Sequence, residues 1–394
     1  MKKVMIVGAS AWQVPMIKKA KELGYNVGVV DYNPSAIGIQ YADEYFNAST
    51  IDPEGVCEAV RRFGADGITT VATDMPMRAI AYTCEKLGLK GIDNATAIRS
   101  TDKVAMIKAF EEHNVPHPWF HVIKNFDLED VKDKISFPCI CKPTDNAASR
   151  GVIIVNNALE IENAVRYSSL NGRCGDVIIE ELLVGCEISV EAFVIDGGVH
   201  VLAITDKITT GRPYFVEMGH NQPSKFQGEL KAEIIDVTAK AIRAVGIVNG
   251  PAHVEMMVTA TGPRMIELGA RLGGDFITTD LVPLSTGIDM LGATIHFACG
   301  EKVDLEPKFE KASAVRYMES SFGKILEVEH LDEANHIPGV WRVEMLKQVG
   351  GQVTEIKNSL DRIGYVVAQG NTVKEAEELC YKALNTVKVS IGEA

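Results

Sequence analysis

Residues 253 to 274, His253-Val-Glu-Met-Met-Val-Thr-Ala-Thr-Gly-Pro-Arg-Met-Ile-Glu-Leu-Gly-Ala-Arg-Leu-Gly-Gly274, constrain the fold of this chain more than any other stretch. Two alternating apolar runs flank Ala260-Thr-Gly-Pro263, where Gly and Pro mark a turn, so the segment reads as a hairpin centred near Thr261. Glu255 and Glu267 are equidistant from that centre. Directly opposed strand residues have Cβ atoms roughly 4.5 to 5.5 Å apart, and two facing carboxylates destabilise a sheet unless something positive lies between them. A bound cation meets that need. Oxygen-only ligands suit a hard ion such as magnesium, which takes one or two carboxylates plus substrate phosphates. Gly269 and Arg271 continue on the face of Glu267, because side chains repeat every two residues, so Arg271 can clamp phosphate charge in a transition state. The same residues on an exposed hairpin would form a solvated face with an ion pair, and the metal reading needs support elsewhere in the chain.

At 394 residues, 46% of them hydrophobic, the chain has core enough for two or three domains. A formal net charge of −13 argues against a nucleic-acid partner and against anionic membranes, which are met by clustered Lys and Arg. The sequence lacks an apolar run of about 18 residues, the length that spans a bilayer. The opening Met-Lys-Lys followed by Val4 to Ala11 imitates a signal peptide but is too short to be one. Eight cysteines, at 57, 84, 139, 141, 174, 186, 299 and 380, form no C-x-x-C pair; the expectation is reduced thiols in a cytoplasmic protein.

Residues 1 to about 100 alternate strand and helix patterns. Val4 to Val7 reads as a strand, Gly8-Ala-Ser breaks it, Val14 to Leu23 carries helical periodicity, and Val27 to Val30 is a second strand ending in Asp31. Gly67 to Ala72 and Met77 to Leu87 add another pair, completing a small Rossmann-like module with a parallel sheet. The dinucleotide fingerprint fails, since Ser10 and Gln13 stand where its second and third glycines belong.

Around Ser100 the pattern changes. Thr101-Asp102 can cap a helix with Val104, Ile107 and Phe110 on one face, and Lys103 then sits in its first turn, where a cation opposes the helix dipole. His113, His117 and His121 are spaced by four, but Pro116 and Pro118 forbid the helix that would align them as metal ligands. In Phe137-Pro-Cys-Ile-Cys-Lys-Pro-Thr-Asp-Asn-Ala-Ala-Ser-Arg-Gly-Val152, a strand ends at Lys142 and another resumes at Val152, so the small polar residues between them read as a flap whose N–H groups can approach an anion. It is not a Walker loop, and Cys139 and Cys141 face away from Ile140 as packing. Val177 to Glu181 is a strand, followed by a linker and an alternating strand from Ile188 to Ile195. Extended backbone at that junction can mimic base pairing to an adenine edge, with Glu187 accepting from ribose hydroxyls.

In this order the motifs resemble the ATP-grasp superfamily over nearly the whole chain, especially carboxylate-amine ligases akin to bacterial L-amino acid ligases, biotin carboxylase and carbamoyl-phosphate synthetase. The resemblance implies that Lys103 and Lys142 contact ATP phosphates, that Ala148, Ser149, Arg150, Gly151 and Val152 form the lid, and that Glu180, Glu181, Leu182 and Glu187 supply the adenine hinge and ribose acid. Ile140 and Met257 fall where apolar side chains sandwich the base, and His220, in Glu217-Met-Gly-His-Asn-Gln-Pro223, resembles a polar position near the phosphates. Glu255 and Glu267 match ligands of magnesium or manganese, and Arg271 the arginine that neutralises the transferring phosphoryl group. One departure is Gly269, where the family commonly has a third ligand, Asn.

The implied fold is mixed α/β and α+β: a Rossmann-like domain over 1–100, an ATP-grasp core over 101–310 with a lid near 115–180, and a small carboxy-terminal α+β domain over 311–394. There the helix after Thr372 is expected to bury Ala376, Leu379 and Leu384. The implied activity is ATP-dependent joining of a small-molecule carboxylate to an amine through an acyl phosphate, in a cytoplasmic homodimer without nucleic-acid or membrane partners. Its rivals are a purine-pathway or bicarbonate-using enzyme of this superfamily and a non-catalytic nucleotide-binding protein. Asp206 to Gln222 and Leu272 to Asp289 are expected to line the acceptor pocket.

Overall fold

The computed structural model describes residues 1–129, 131–145, 151–319 and 321–392. The lid residues Ala148, Ser149 and Arg150 lie outside these described residues. The amino-terminal segment holds a parallel sheet in the order Glu44–Asn47, Asn26–Asp31, Lys3–Val7, Gly67–Thr69. Val4, Met5, Ile6 and Val7 are all buried, because the helices Val14–Glu22, Pro53–Phe63 and Met77–Leu87 accompany a sheet that parallel pairing requires to be covered on both faces. At Gly8 the chain turns with φ +98°, and the N–H of Ala9 donates to Asp31 Oδ2 at 2.8 Å.

Asp102 caps the helix Lys103–Glu112, accepting from the N–H groups of Val104 at 3.0 Å and Ala105 at 2.9 Å. The helix buries Met106, Ile107, Ala109 and Phe110. Beyond it lie two antiparallel sheets. The smaller has the order Phe120–Ile123, Val177–Glu181, Cys139–Pro143, Ile153–Val155, with the helix Ile161–Leu170 packed on it. The larger has eight strands, in the order Gly262–Gly269, Gly250–Thr259, Gly185–Ile195, Gly198–Thr209, Glu217–Gln222, Ala312–Tyr317, Gly364–Gly370, Val340–Met345.

Strand alternation divides the large sheet chemically. Ile188, Val190, Val254 and Met256 point to one face and share a core with Ile234, Val237, Ala241 and Ile242 of the long helix Gly228–Val245. Their neighbours Glu187, Glu191, His253, Glu255 and Met257 therefore point to the other face. That second face carries the candidate site.

The large sheet continues across residue 310, since Glu217–Gln222 pairs with Ala312–Tyr317 and the latter with Gly364–Gly370. A three-stranded sheet of Gln352–Val353, Gly323–Glu329 and Lys388–Gly392 stands beside it. Thr372 caps the helix Val373–Thr386, which buries Ala376, Cys380 and Ala383; Leu379 and Leu384, expected on that face, are partly buried at its margin. Small residues win the central stripe because the helix lies close on the strands Ala312–Tyr317 and Gly364–Gly370. All eight cysteines are free, and Cys139 and Cys141 pack with Val155 and Ile179. Among the described residues no single helix is long and apolar enough to cross a membrane.

Candidate active site

The hairpin of residues 250–269 pairs Glu255 directly with Glu267, and His253 with Gly269. Closer to the turn the register shifts, so that Met256 opposes Met265 and Thr259 opposes Gly262, leaving Ile266 as the extra residue of a bulge. The two carboxylates face one cleft. It offers about 1100 Å3 of space, open to solvent, between the two antiparallel sheets. The small sheet contributes Ile140, Lys142, Glu180 and Glu181 to its walls; the large sheet contributes Glu187, Glu217, Glu255, Met257 and Glu267. Lys103 enters from the first turn of its helix and Val152 from the far side of the lid segment.

The position of Lys103, odd for a helix, has its explanation here: its Nζ makes an ion pair with Glu267. Burial opposes the charge, yet the Glu267 carboxylate, with help from Asp74 and Glu180, raises the lysine above its ordinary pKa. Lys142 pairs in the same manner with Glu180 at 2.6 Å. Leu182 and Leu183, between the strands Val177–Glu181 and Gly185–Ile195, lie outside both ladders, so their backbone groups are available to a ligand edge. Beside them Glu181 is fixed by Arg264, whose Nη1 donates to Oε1 at 2.8 Å while Nη2 donates to the His117 carbonyl at 2.6 Å.

Lys207 lies in the stretch 206–222 expected to line the acceptor pocket, but the sequence reading did not single it out. Only 3% exposed, its Nζ stands 2.5 Å from Glu187, 3.3 Å from Glu255 and 3.5 Å from Glu217. Burial disfavours the ammonium, but three carboxylates hold it charged and its pKa well above the lysine value. Glu187, expected to await a ribose, is thus already engaged; burial and the charges of Glu255 and Glu217 push its pKa up despite Lys207. Behind Glu255 a relay forms: Glu191 Oε1 lies 2.5 Å from His253 Nδ1, and His253 Nε2 lies 3.1 Å from Glu255 Oε1. Glu191 raises the His253 pKa to about 9 against the cost of burial, so the ring is a cation at neutral pH. Burial alone would neutralise Glu255; Lys207 and His253 instead hold its carboxyl well below the usual range.

Three expected positions, Gly151, His220 and Arg271, do not line the cleft. Gly151 is buried, but its carbonyl accepts from Ser168 Oγ at 2.7 Å and the residue does not line the cleft. His220 also lies off the cleft lining, one strand beyond Lys207 on the same face. Its Nε2 is 3.4 Å from Asp275 Oδ2, and Asp275 in turn receives both Nη1 and Nη2 of Arg362 at 2.8 Å. His220, expected as a polar group near the phosphates, is thus engaged by Asp275 while its strand position stands opposite Lys207. Burial works against the Asp275 charge, but His220 and Arg362 take its carboxyl below the ordinary range. The pair therefore stabilises the fold above about pH 4, the ordinary carboxyl value, and less as pH falls below it. Asp275→Asn should accordingly lose less urea stability than the parent between pH 7 and pH 3; equal losses would overturn this assignment.

Arg271 makes a two-point bridge to Asp74 of the amino-terminal segment, Nε to Oδ1 at 2.9 Å and Nη2 to Oδ2 at 2.8 Å. Its guanidinium still lies in the field of Glu255 and Glu191. The lysines and the facing glutamates thus come together at one cleft from four separate parts of the chain, whereas Arg271, on its Asp74 bridge, does not line it.

Residues 135–280 match the model of the ATP-grasp domain. This stretch is an ATP-grasp domain. Residues 316–392 match L-amino acid ligase C-terminal domain 2. Among curated ATP-grasp relatives, alanine–anticapsin ligase of Bacillus subtilis is 29% identical over 283 residues, 64% of this chain and 58% of that one. Phosphoribosylamine–glycine ligase of Caldanaerobacter subterraneus is 26% identical over 415 residues, covering 98% of this chain and 96% of that one. The solved L-amino acid ligase from Bacillus licheniformis superposes with a TM-score of 0.86 at 21% identity, covering 100% and 99% of the two chains, and so shares the fold. Each of these relatives is a ligase by name.

Proposed function

We propose that this enzyme joins an amino acid, through its carboxylate, to the amine of a second small molecule, with ATP converted to ADP and phosphate. The observation that supports phosphoryl chemistry is the Glu255–Glu267 pair, placed between Lys103 and Lys207 on the wall of the cleft. The carboxy-terminal match over residues 316–392 favours amino acids over a ribosylamine or bicarbonate.

A divalent ion fits the residues present. Six glutamates line the cleft, partnered by Lys103, Lys142, Lys207 and Arg264, which leaves two more carboxylates than cations where a polyphosphate must bind. Among the described residues no group of three His, Cys, Asp or Glu side chains is gathered to hold a metal alone. Two carboxylates completed by phosphate oxygens are the arrangement magnesium prefers. Glu255 and Glu267 would hold such an ion, which when bound offsets charge on the phosphates.

Ile140 and Met257 sandwich the base, Leu182 offers its backbone to the adenine edge, and Lys103 and Lys142 bind phosphate oxygens. An oxygen of the substrate carboxylate attacks Pγ, the bond from Pγ to the β-phosphate oxygen breaks, and ADP departs. Arg271 and the lysines balance the charge spread over the transferring group, since phosphoryl transfer is mostly positioning and electrostatics. The amine lone pair then attacks the acyl carbon, the carbon–oxygen bond to phosphate breaks, and the nitrogen gives up a proton as the amide forms.

The test is ADP release with an equimolar mixture of the twenty amino acids, followed by pairwise deconvolution and mass detection of the product. ADP stoichiometric with a new amide is expected. ADP release that depends on bicarbonate or a phosphoribosylamine, with none from amino acids, would overturn the substrate class.

A further inference from the structure

The loop of residues 70–76 in the amino-terminal segment docks on the end of the hairpin of residues 250–269. The N–H of Ala72, at φ +61°, donates to the Leu272 carbonyl at 3.2 Å, and the bend that follows turns Asp74 toward the strand end. Both Asp74 oxygens are taken by Arg271, at 2.9 and 2.8 Å, and the arginine side chain is only 13% exposed. A planar guanidinium gripped at two points by a carboxylate has its plane and its reach fixed, which a single contact does not achieve.

Gly269 is what makes room. A Cβ there would stand 2.4 Å from Asp74 Oδ1 and 3.1 Å from Arg271 Nε. Any larger residue at 269 would push the carboxylate out of the bridge or the arginine off its line. The strand residue at 269 is opposite His253 and two places from Glu267, so the bridge fills space on the face of the candidate metal ligands.

We propose that Asp74 is a positioning residue for phosphoryl transfer: from the amino-terminal segment it holds Arg271 in the volume that Gly269 leaves free. The inference rests on the reading of Arg271 as the arginine that faces the transferring phosphoryl group. It makes the amino-terminal segment a working part of the reaction instead of a support.

Three single variants and two doubles test it, by ADP release from varied ATP in the twenty-amino-acid mixture. Asp74→Ala is expected to lower apparent kcat by about 10²-fold, the scale on which misplacement of a reacting group is felt, with KM for ATP within about threefold. Gly269→Ala should act likewise in the parent, because its methyl displaces the bridge, yet cost little more once Asp74→Ala is present. Arg271→Ala should be at least as severe, and adding Asp74→Ala to it should change nothing, since a residue acting through another has no effect without it. A merely structural Asp74 would instead lower kcat of the Arg271→Ala background again. Asp74→Ala within threefold of the parent, or additive with Arg271→Ala, overturns the proposal while leaving the role of Arg271 in place. Arg271→Ala with undiminished kcat would overturn that role, and the proposal with it.

Discussion

Replacing Glu255 with glutamine should lower ADP formation by about 10³-fold, or about 4 kcal/mol of transition-state stabilisation. Glutamine keeps the volume and one accepting oxygen, so the His253 contact at 3.1 Å can persist and the strand pairing with Glu267 is undisturbed. The charge alone is removed. That charge is held against burial by Lys207 and His253, an arrangement that makes the carboxylate ready to meet a cation without first losing a proton. Glu267→Gln should behave in the same way, with the added effect that Lys103 loses its ion-pair partner. Because that charge also balances the buried Lys207 and His253, Glu255→Gln should lose urea stability as well, and the turnover loss is read without denaturant on the fraction shown to be folded. Binding of Mn2+ in the presence of ADP, followed by its paramagnetic signal, should weaken in parallel with turnover. Turnover within threefold of the parent, or Mn2+ affinity unchanged, would remove the two carboxylates from the chemistry.

What the sequence disclosed follows from periodicity. Gly-Pro after Ala260-Thr261 placed the turn, and alternation on either side placed Glu255 against Glu267, because an antiparallel register is fixed once its turn is known. The bulge at Ile266 left no mark: a two-residue turn with an extra residue in one strand brings the same glutamates together as a three-residue turn without one. Lys103 announced itself by opposing its helix dipole, and the structure shows the carboxylate that compensates. Lys207 announced nothing, since a lysine in the alternating run Ala203 to Thr209 looks like the polar face of an exposed strand. Only the pairing of its strand beside Gly185–Ile195 reveals the acids around it. Asp74 was equally hidden, being 197 residues from Arg271 along the chain in a loop whose local sequence carries only turn chemistry. The partner of His220 was hidden for a related reason: its local motif is polar, but which carboxylate it meets depends on the Asp275 bend, where φ is +50°, and on Arg362 from the carboxy-terminal segment. Side chains that broke a local rule, as Lys103 did, or kept a strand's alternation were legible, and those whose meaning lies only in a distant partner were not.

Lys207→Met should be the most destabilising single change in the cleft. The methionine fills similar volume, so the loss is electrostatic: Glu187, Glu217 and Glu255 are left facing one another around a buried spot that no longer holds a cation. Removing one partner of a buried ion pair costs about 3 to 5 kcal/mol, since the desolvated charge that remains has no compensation. The protein can reduce that cost only by binding a proton, and Glu187 is the carboxyl to take it, because burial and its acidic neighbours already push its pKa up even with the lysine present. The variant should therefore gain more urea stability than the parent as pH falls from 8 to 6, beyond the gain both share from His253, whose pKa is raised to about 9. Adding Glu187→Gln to Lys207→Met supplies the neutral partner permanently, and the double variant should be more stable than Lys207→Met at pH 8 by about 1 to 3 kcal/mol, a coupling typical of residues in one network. A loss below about 1 kcal/mol for Lys207→Met, the size of an exposed ion pair, would mean that the three acids are screened by water and that the lysine does not organise this face of the sheet.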